Sequence, residues 1–187
     1  MYLNKIVILL LIILSFTSCK KRENGYTIYH IREGVHSSTI SYRNLLKDNV
    51  HFDCKFDESA IYESIDPANQ YDINKLYGFS ECNKHHQQAS ARFGWRWVNN
   101  ELEIVTYVYH GGKRLMEKHI KNVSLNESHE YQITIMDDYY IFRVDDVEVT
   151  EIRDGCDGLG HYYILYPYFG GDEVAPHDIY IYLRNYR

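Results

Sequence analysis

The chain has 187 residues, 25% of them charged, with 20 Lys and Arg against 26 Asp and Glu and a formal net charge of −6. That acidic balance weighs against a nucleic-acid partner, which needs basic surface, and the length suits one domain with a full core. Tyrosine is abundant, with 19 residues against three prolines, and Tyr, Val, Ile, Phe and Trp in alternation mean strands.

The chain opens on an export signal. Lys5 precedes an unbroken apolar run, Ile6 to Leu14, followed by Ser15-Phe16-Thr17-Ser18-Cys19. A positive start, about nine apolar residues and small residues before the cysteine make a secretory signal. The run is well short of the roughly 20 residues that span a bilayer. Small residues directly before a cysteine resemble a bacterial lipobox. Residues 1–18 are therefore expected to be removed and Cys19 to carry lipid, anchoring the protein to the cell envelope, at the outer membrane. A cleaved signal with an unmodified cysteine, or an uncleaved anchor, are the alternatives. Residues 19–25 read as a charged tether and residues 26–187 as the folded domain. Without residues 1–18, whose single charge is Lys5, 19 Lys and Arg face 26 Asp and Glu, a net charge of about −7.

Cys54, Cys82 and Cys156 allow one internal disulfide with one thiol left over. Cys54–Cys82 is the first pairing to expect, since both lie in the less regular half of the chain. Buried free thiols acting as small apolar side chains are the alternative. No Cys-x-x-Cys occurs, so there is no zinc signature. The stretch Tyr62–Gln88 is polar and rich in Asn and Gln. It is expected to be one long loop with a short helix near Asp72–Leu76, and loops of that length are often functional.

Beyond it the chain is a run of hairpins. Ser90–Val98 and Glu101–His110 flank Asn99-Asn100. A two-residue turn there pairs Val98 with Glu101, Trp95 with Ile104 and Phe93 with Thr106. One face then carries Phe93, Trp95, Trp97, Leu102, Ile104 and Val108. The other carries Arg92, Gly94 and Arg96 beside Glu103, Val105, Tyr107 and Tyr109. At Gly111-Gly112 a three-residue loop is expected, placing Met116 and Ile120 toward the core and Glu103 opposite Lys121, because a one-residue slip would exchange the faces of the strand. Tyr131–Met136, Tyr139–Val144 and Val147–Ile152 form two further hairpins about Asp137-Asp138 and Asp145-Asp146, with Arg143 opposite Glu148. Asp178–Arg184 alternates as the last strand.

Strands with one apolar face need a cover, and without a sustained helical period after residue 25 that cover is a second sheet. The expected fold is all-β, an antiparallel β-sandwich of the jelly-roll type with one long loop region. Three stretches carry a resemblance: Asn74-Lys75-Leu76-Tyr77-Gly78-Phe79-Ser80, Ser90-Ala91-Arg92-Phe93-Gly94-Trp95-Arg96-Trp97, and the segment Leu165–Ile179 with its Tyr166-Pro167-Tyr168-Phe169-Gly170-Gly171 core. With the lipobox they resemble a family of Bacteroidota-type lipoproteins, which implies export and a lipid anchor and supplies no catalytic residue. A looser likeness is to concanavalin A-like sandwiches, including family 16 glycoside hydrolases, in which a Gly-Gly segment precedes the final strand. Those enzymes carry Glu-x-Asp-x-x-Glu on one strand, and this chain has no such motif.

Glycoside hydrolysis needs two carboxylates roughly 5–10 Å apart. Glu58, Glu63, Asp66, Glu103 and Glu117 are candidates, and no spacing fixes a pair. Adjacent histidines on a strand point to opposite faces, so His85-His86 is expected to be a solvated or hydrogen-bonded pair rather than a metal site. Asp154-Gly155-Cys156-Asp157-Gly158 lacks the alternating oxygen ligands of an EF-hand and reads as a turn. Asp172, Glu173 or Asp178 are candidates for a structural calcium, and no other cofactor is implied. There is no Gly-x-Ser-x-Gly nucleophile motif.

The polar face of the first hairpin is more specific. Arg92 and Arg96 flank Gly94, with Tyr107 opposite Arg92, Glu103 opposite Arg96, and Tyr109 beyond. Gly94 leaves room for close approach to the backbone. Tyrosine rings offer flat apolar surface with a hydroxyl, and arginine offers a planar donor fork. The combination suits a sugar, an acidic one in particular, with Asn69, Gln70, Asn74, Lys75, His85 and His86 as a rim if the long loop folds over it. An ordinary solvated sheet face is the alternative. The reading that results is an exported, membrane-tethered lipoprotein that binds carbohydrate or another polar ligand without catalysis. A structural or protein-interaction lipoprotein of the envelope, or a glycan hydrolase or lyase with an unfamiliar site, are the competing readings.

Overall fold

The computed structural model describes residues 22–39, 41–45, 48–153 and 162–186. The signal segment, Cys19 and the Asp154–Gly158 turn with Cys156 lie outside the described residues. The architecture is the expected one, two antiparallel sheets packed face to face. Sheet I runs in the spatial order β1 (Arg22–Glu23), β2 (Tyr26–Ile31), β14 (Ile179–Asn185), β4 (Asn49–Phe56), β10 (Ser128–Ile135), β11 (Tyr139–Val144) and β12 (Val147–Ile152). Sheet II runs β3 (Asn44–Leu45), β13 (Tyr162–Leu165), β5 (Asn74–Ser80), β6 (Ser90–Val98), β7 (Glu101–His110) and β8 (Lys113–Arg114), with β9 (His119–Val123) also paired to β7. Residues 22 and 23, expected within the tether, already form the first strand.

Alternation builds the core. Val50, Phe52, Cys54 and Phe56 of β4 and Ile179, Ile181 and Leu183 of β14 point inward and are buried, as are Phe93 and Trp95 of β6 and Tyr140, Phe142 and Val144 of β11. Phe93 sits edge-on to Tyr131 and Phe142, with ring centroids 5.1 and 5.3 Å away. Each such ring contributes about 1.5–3 kcal/mol by leaving water, and aromatic pairs in this geometry add to it.

The β6–β7 and β10–β11–β12 hairpins hold the predicted registers, including Arg96 opposite Glu103 and Arg143 opposite Glu148. Asn99 and Asn100 both have positive φ, 55° and 60°, the conformation a two-residue hairpin turn requires.

Three expectations are corrected. Tyr62–Gln88 is not one loop: after a 3-10 turn at Pro67–Tyr71 it forms β5, a central strand of sheet II. A register shift between Lys75 and Gly78 breaks its alternation, so Leu76, Tyr77 and Phe79 are all buried. The turn after β7 spans Gly111-Gly112 alone, pairing His110 with Lys113. The chain then leaves the sheet and returns as β9, with Glu103 opposite Asn122; Ile120 is buried but Met116 is 86% exposed. Finally, Cys54 and Cys82 are not bonded to each other. Cys54 is a buried free thiol on the inner face of β4, whereas Cys82 lies in the turn after β5 and is disulfide-bonded elsewhere.

Candidate functional site

The outer face of sheet II gathers cationic and aromatic side chains around Lys75 and Arg92. Lys75 is near the start of β5, Arg92 on β6, and Tyr107 directly opposite Arg92 on β7, with Tyr109 two residues further along the same face. Past β13 the chain continues along β5: the Lys75 and Tyr168 backbones exchange hydrogen bonds of 2.8 Å in both directions. Residues near His36 line the far side of that segment, through Phe169 N donating to the His36 carbonyl at 2.7 Å. The His36 imidazole stacks on Tyr168 with centroids 5.0 Å apart.

The Lys75 ammonium lies between two phenol rings, 5.1 Å from the centroid of Tyr107 and 5.6 Å from that of Tyr168, and donates to the Gly170 carbonyl. Cation–π contacts of this kind are worth more as they lose water. Burial, followed by the neighbouring Arg92 charge, pushes the Lys75 pKa down to about 8. Arg92 is only 7% exposed. Its Nη2 donates to the Tyr166 carbonyl at 2.6 Å, its buried Nε has no partner, and burial pushes its pKa down to about 10. Among the described residues no carboxylate pairs with either cation. Asp72 and Asp172 act on Lys75 only as more distant charges. Arg114, on β8, stacks its guanidinium 5.7 Å from Tyr107 and ion-pairs with Glu117.

The predicted site residues fall into two groups, with Asn74 in neither. Arg92, Tyr107, Tyr109 and His86 belong to this cluster. Burial, then His85, Arg92 and Lys75, pushes the His86 pKa down to about 4, so its ring is neutral at pH 7. His85, exposed, sits with its ring 4.1 Å from that of His86. Arg96 and Glu103 form a separate, closed group at the other end of β6: Arg96 bonds Glu103, Glu117 and the Tyr71 carbonyl. Asn74 points away from the cluster. It is 1% exposed, donates to the Tyr62 hydroxyl and accepts from Gly170 N, locking the segment that carries Tyr168.

The space at Gly94 is not open to a ligand. A Cβ there would lie 2.4 Å from Ile73 Cγ2 and 2.9 Å from Val105 Cγ2, so the glycine admits the protein's own side chains and separates the Arg92 end of the strand from the Arg96 end. The candidate calcium carboxylates are engaged in closing loops. Glu173 accepts from Ile65 N, Asp66 N and Asn69 Nδ2, and Asp178 accepts from Glu33 N and pairs with His30. The other candidate carboxylates are dispersed, with Asp66 capping the 3-10 turn at Pro67–Tyr71 and Glu58 bound to Asn126. Tyr168 and His36 were not indicated by the sequence. Local pattern carries no signal for them, because pairing between segments more than ninety residues apart brings them to the site.

No protein-family model matches this sequence, and neither does any curated protein. The fold, in contrast, matches solved structures. The catalytic domain of an endo-1,3-β-glucanase (laminarinase) from Thermotoga petrophila is 13% identical with a TM-score of 0.56, over 87% of this chain and 76% of that one. A non-specific endo-β-1,3(4)-glucanase of glycoside hydrolase family 16 is 12% identical, with a TM-score of 0.55 over 88% and 72% of the two chains. Alginate lyase A1-II′, of polysaccharide lyase family 7, is 9% identical, with a TM-score of 0.55 over 87% and 78%. At these identities the likeness defines a concanavalin A-like jelly-roll sandwich and nothing finer.

Proposed function

We propose that the protein is an exported lipoprotein, anchored to the cell envelope through Cys19, whose sandwich binds a carbohydrate on the outer face of sheet II. The observation that carries this reading is the cluster of Lys75 and Arg92 among Tyr107, Tyr109 and Tyr168. Phenol rings stack on the apolar faces of a pyranose while arginine and lysine donate to its oxygens, and sites with a few convergent polar groups on an aromatic floor suit small polar ligands. The similarity in fold to glucanases and an alginate lyase supports the choice of ligand class. Thermal shift and calorimetry of the Lys20–Arg187 protein against neutral and acidic oligosaccharides test it. A saturable shift that Tyr107→Ala abolishes is the expected result, and no response to any glycan would sink the reading. The anchor is tested separately, by mass spectrometry of the mature N-terminus and its loss in Cys19→Ser.

Glycan cleavage is the second reading, favoured by one observation: an amine with a pKa of about 8 beside a buried guanidinium is suited to act as a base near neutral pH. Release of unsaturated or reducing ends from a polysaccharide, lost in Lys75→Met, would establish it.

A further inference from the structure

We infer that the group completing the outer face of sheet II is a carboxylate carried on a sugar ring, so that the ligand is a uronic-acid-containing glycan. This rests on the carbohydrate reading and narrows it. Two cations lie together with no anion in contact among the described residues. Arg92 is 7% exposed, has a buried Nε with no partner, and spends its one hydrogen bond among the described residues on the Tyr166 carbonyl. Lys75 beside it is bonded only to the Gly170 carbonyl and flanked by aromatic rings. A buried charge is costly unless paired, and a guanidinium does not escape by losing its proton. Elsewhere on this protein such groups carry their own acid: Arg96 has Glu103 and Glu117, Arg143 has Glu130, and the nearly buried Arg153 has Glu81. Among the described residues, buried Arg92 with Lys75 beside it touches no carboxylate, which leaves the pair open to an anion from outside.

Geometry favours a carboxylate attached directly to a pyranose. Lys75 Nζ is within 6 Å of both the Tyr107 and the Tyr168 ring centroids. An anion bound to it therefore holds the ring that bears it against one or both phenols. A carboxyl carbon bonded to the ring meets this short reach, and its planar pair of oxygens matches the guanidinium fork. A sulfate ester stands one bond further out and presents a tetrahedral group. Lys75, Tyr107, Tyr109 and Tyr168 are partly exposed, so the ligand enters over the tyrosines and reaches Arg92 beyond them.

Calorimetry with tetramers of galacturonate, mannuronate and guluronate, the methyl ester of the galacturonate tetramer, neutral glucan tetramers and a sulfated oligosaccharide tests the inference. At least one free uronate should bind ten times or more tighter than the ester and than any neutral or sulfated probe. Lys75→Gln should shrink that margin, weakening the free uronate by far more than the ester, and Arg92→Lys should weaken the uronate at least tenfold. Circular dichroism and melting curves confirm that each variant is folded, and Lys75→Gln, at a partly exposed position, serves if Arg92→Lys is not. Equal affinity for acid and ester, or tighter binding of a neutral or sulfated probe, overturns the inference and leaves the carbohydrate reading standing. Failure of every glycan to bind overturns both.

Discussion

The two outer faces of this sandwich are built from the same residue types and end in opposite states. On sheet I, His30 stacks on Tyr180 and bonds Asp178, Lys55 lies over Tyr182 whose hydroxyl donates to Asp57, and His51 joins Glu130 and Arg143. Arg184 and the Tyr186 hydroxyl both donate to Asp53, which is 5% exposed. Arg143 and Arg184 each ion-pair with a carboxylate of the chain, and Lys55 rests on a phenol whose hydroxyl already holds Asp57. On sheet II, Lys75 and Arg92 also lie among tyrosines, but among the described residues no acid touches either. The difference is the carboxylate, and it separates a face that is electrostatically finished from one that a ligand can finish. Composition alone would not distinguish them.

Arg92→Met gives the largest expected effect and the sharpest test of the contrast. Losing a buried, charge-assisted partner typically costs about 2–5 kcal/mol of affinity, so uronate binding should fall roughly 30- to 4000-fold. Replacing an uncompensated buried charge with an apolar side chain of similar length should at the same time stabilise the unliganded protein, by about 1–3 kcal/mol, seen as a higher midpoint in urea. Loss of both affinity and stability would mean that Arg92 belongs to a structural network, and the contrast between the faces would fail. Asp53→Asn is the matching change on sheet I. It keeps the shape but weakens the charge-assisted bonds from Arg184 and Tyr186, and should lower stability by about 1–2 kcal/mol without touching glycan affinity.

Much of this contrast was legible in the sequence, and its limits are physical. The β6–β7 and β10–β11–β12 hairpins could be set in register because a two-residue period and turn residues such as Asn99-Asn100 are local signals. That register alone placed Arg92 opposite Tyr107 and Arg96 opposite Glu103. It could not tell that the first pair is buried beside a second cation and the second sealed by Glu117. Strand β5 was hidden by the shift between Lys75 and Gly78, which removes the alternation by which strands are recognised. Lys75 was therefore read as part of a loop rim. The path to β9 was hidden as well: the Thr106 amide bonds the Lys118 carbonyl across an irregular stretch, which no turn motif announces. Tyr168 reaches the cluster only through long-range pairing with Lys75 and Ser37.

Lys75 supplies the next prediction, on pH. Its folded pKa, about 8, lies below the ordinary lysine value of 10.5 because of burial and Arg92, with Arg114 acting in the same direction and Asp72 and Asp172 opposing. Between about pH 8 and 10.5 the unfolded chain then holds more protons than the folded one, so this group's contribution to stability rises with pH across that window. Affinity for an anion runs the other way. It is greatest while Lys75 is charged and falls as pH climbs through about 8. Binding near that pH should take up a proton, read as a heat that depends on the buffer's ionisation enthalpy. Lys75→Met should flatten both dependences, while equivalent changes on sheet I should leave both as they are.

The smallest effects are expected at the Arg96 end of sheet II, and they define where the site stops. Met116 and Ile65 are 86% and 81% exposed, so they look like a docking patch if exposure alone is considered. Scattered exposed apolar side chains are normal on a folded surface, and the nearby Arg96 has its donors committed to Glu103, Glu117 and the Tyr71 carbonyl. Ile73 and Val105, packed over Gly94, block a continuous path from there to Lys75. Met116→Ser and Ile65→Ser should therefore shift stability by no more than about 0.5 kcal/mol and leave glycan affinity within twofold. A larger loss of affinity in either variant would extend the binding surface along the whole of β6, and the contrast would then lie between entire sheets rather than between the two ends of one strand.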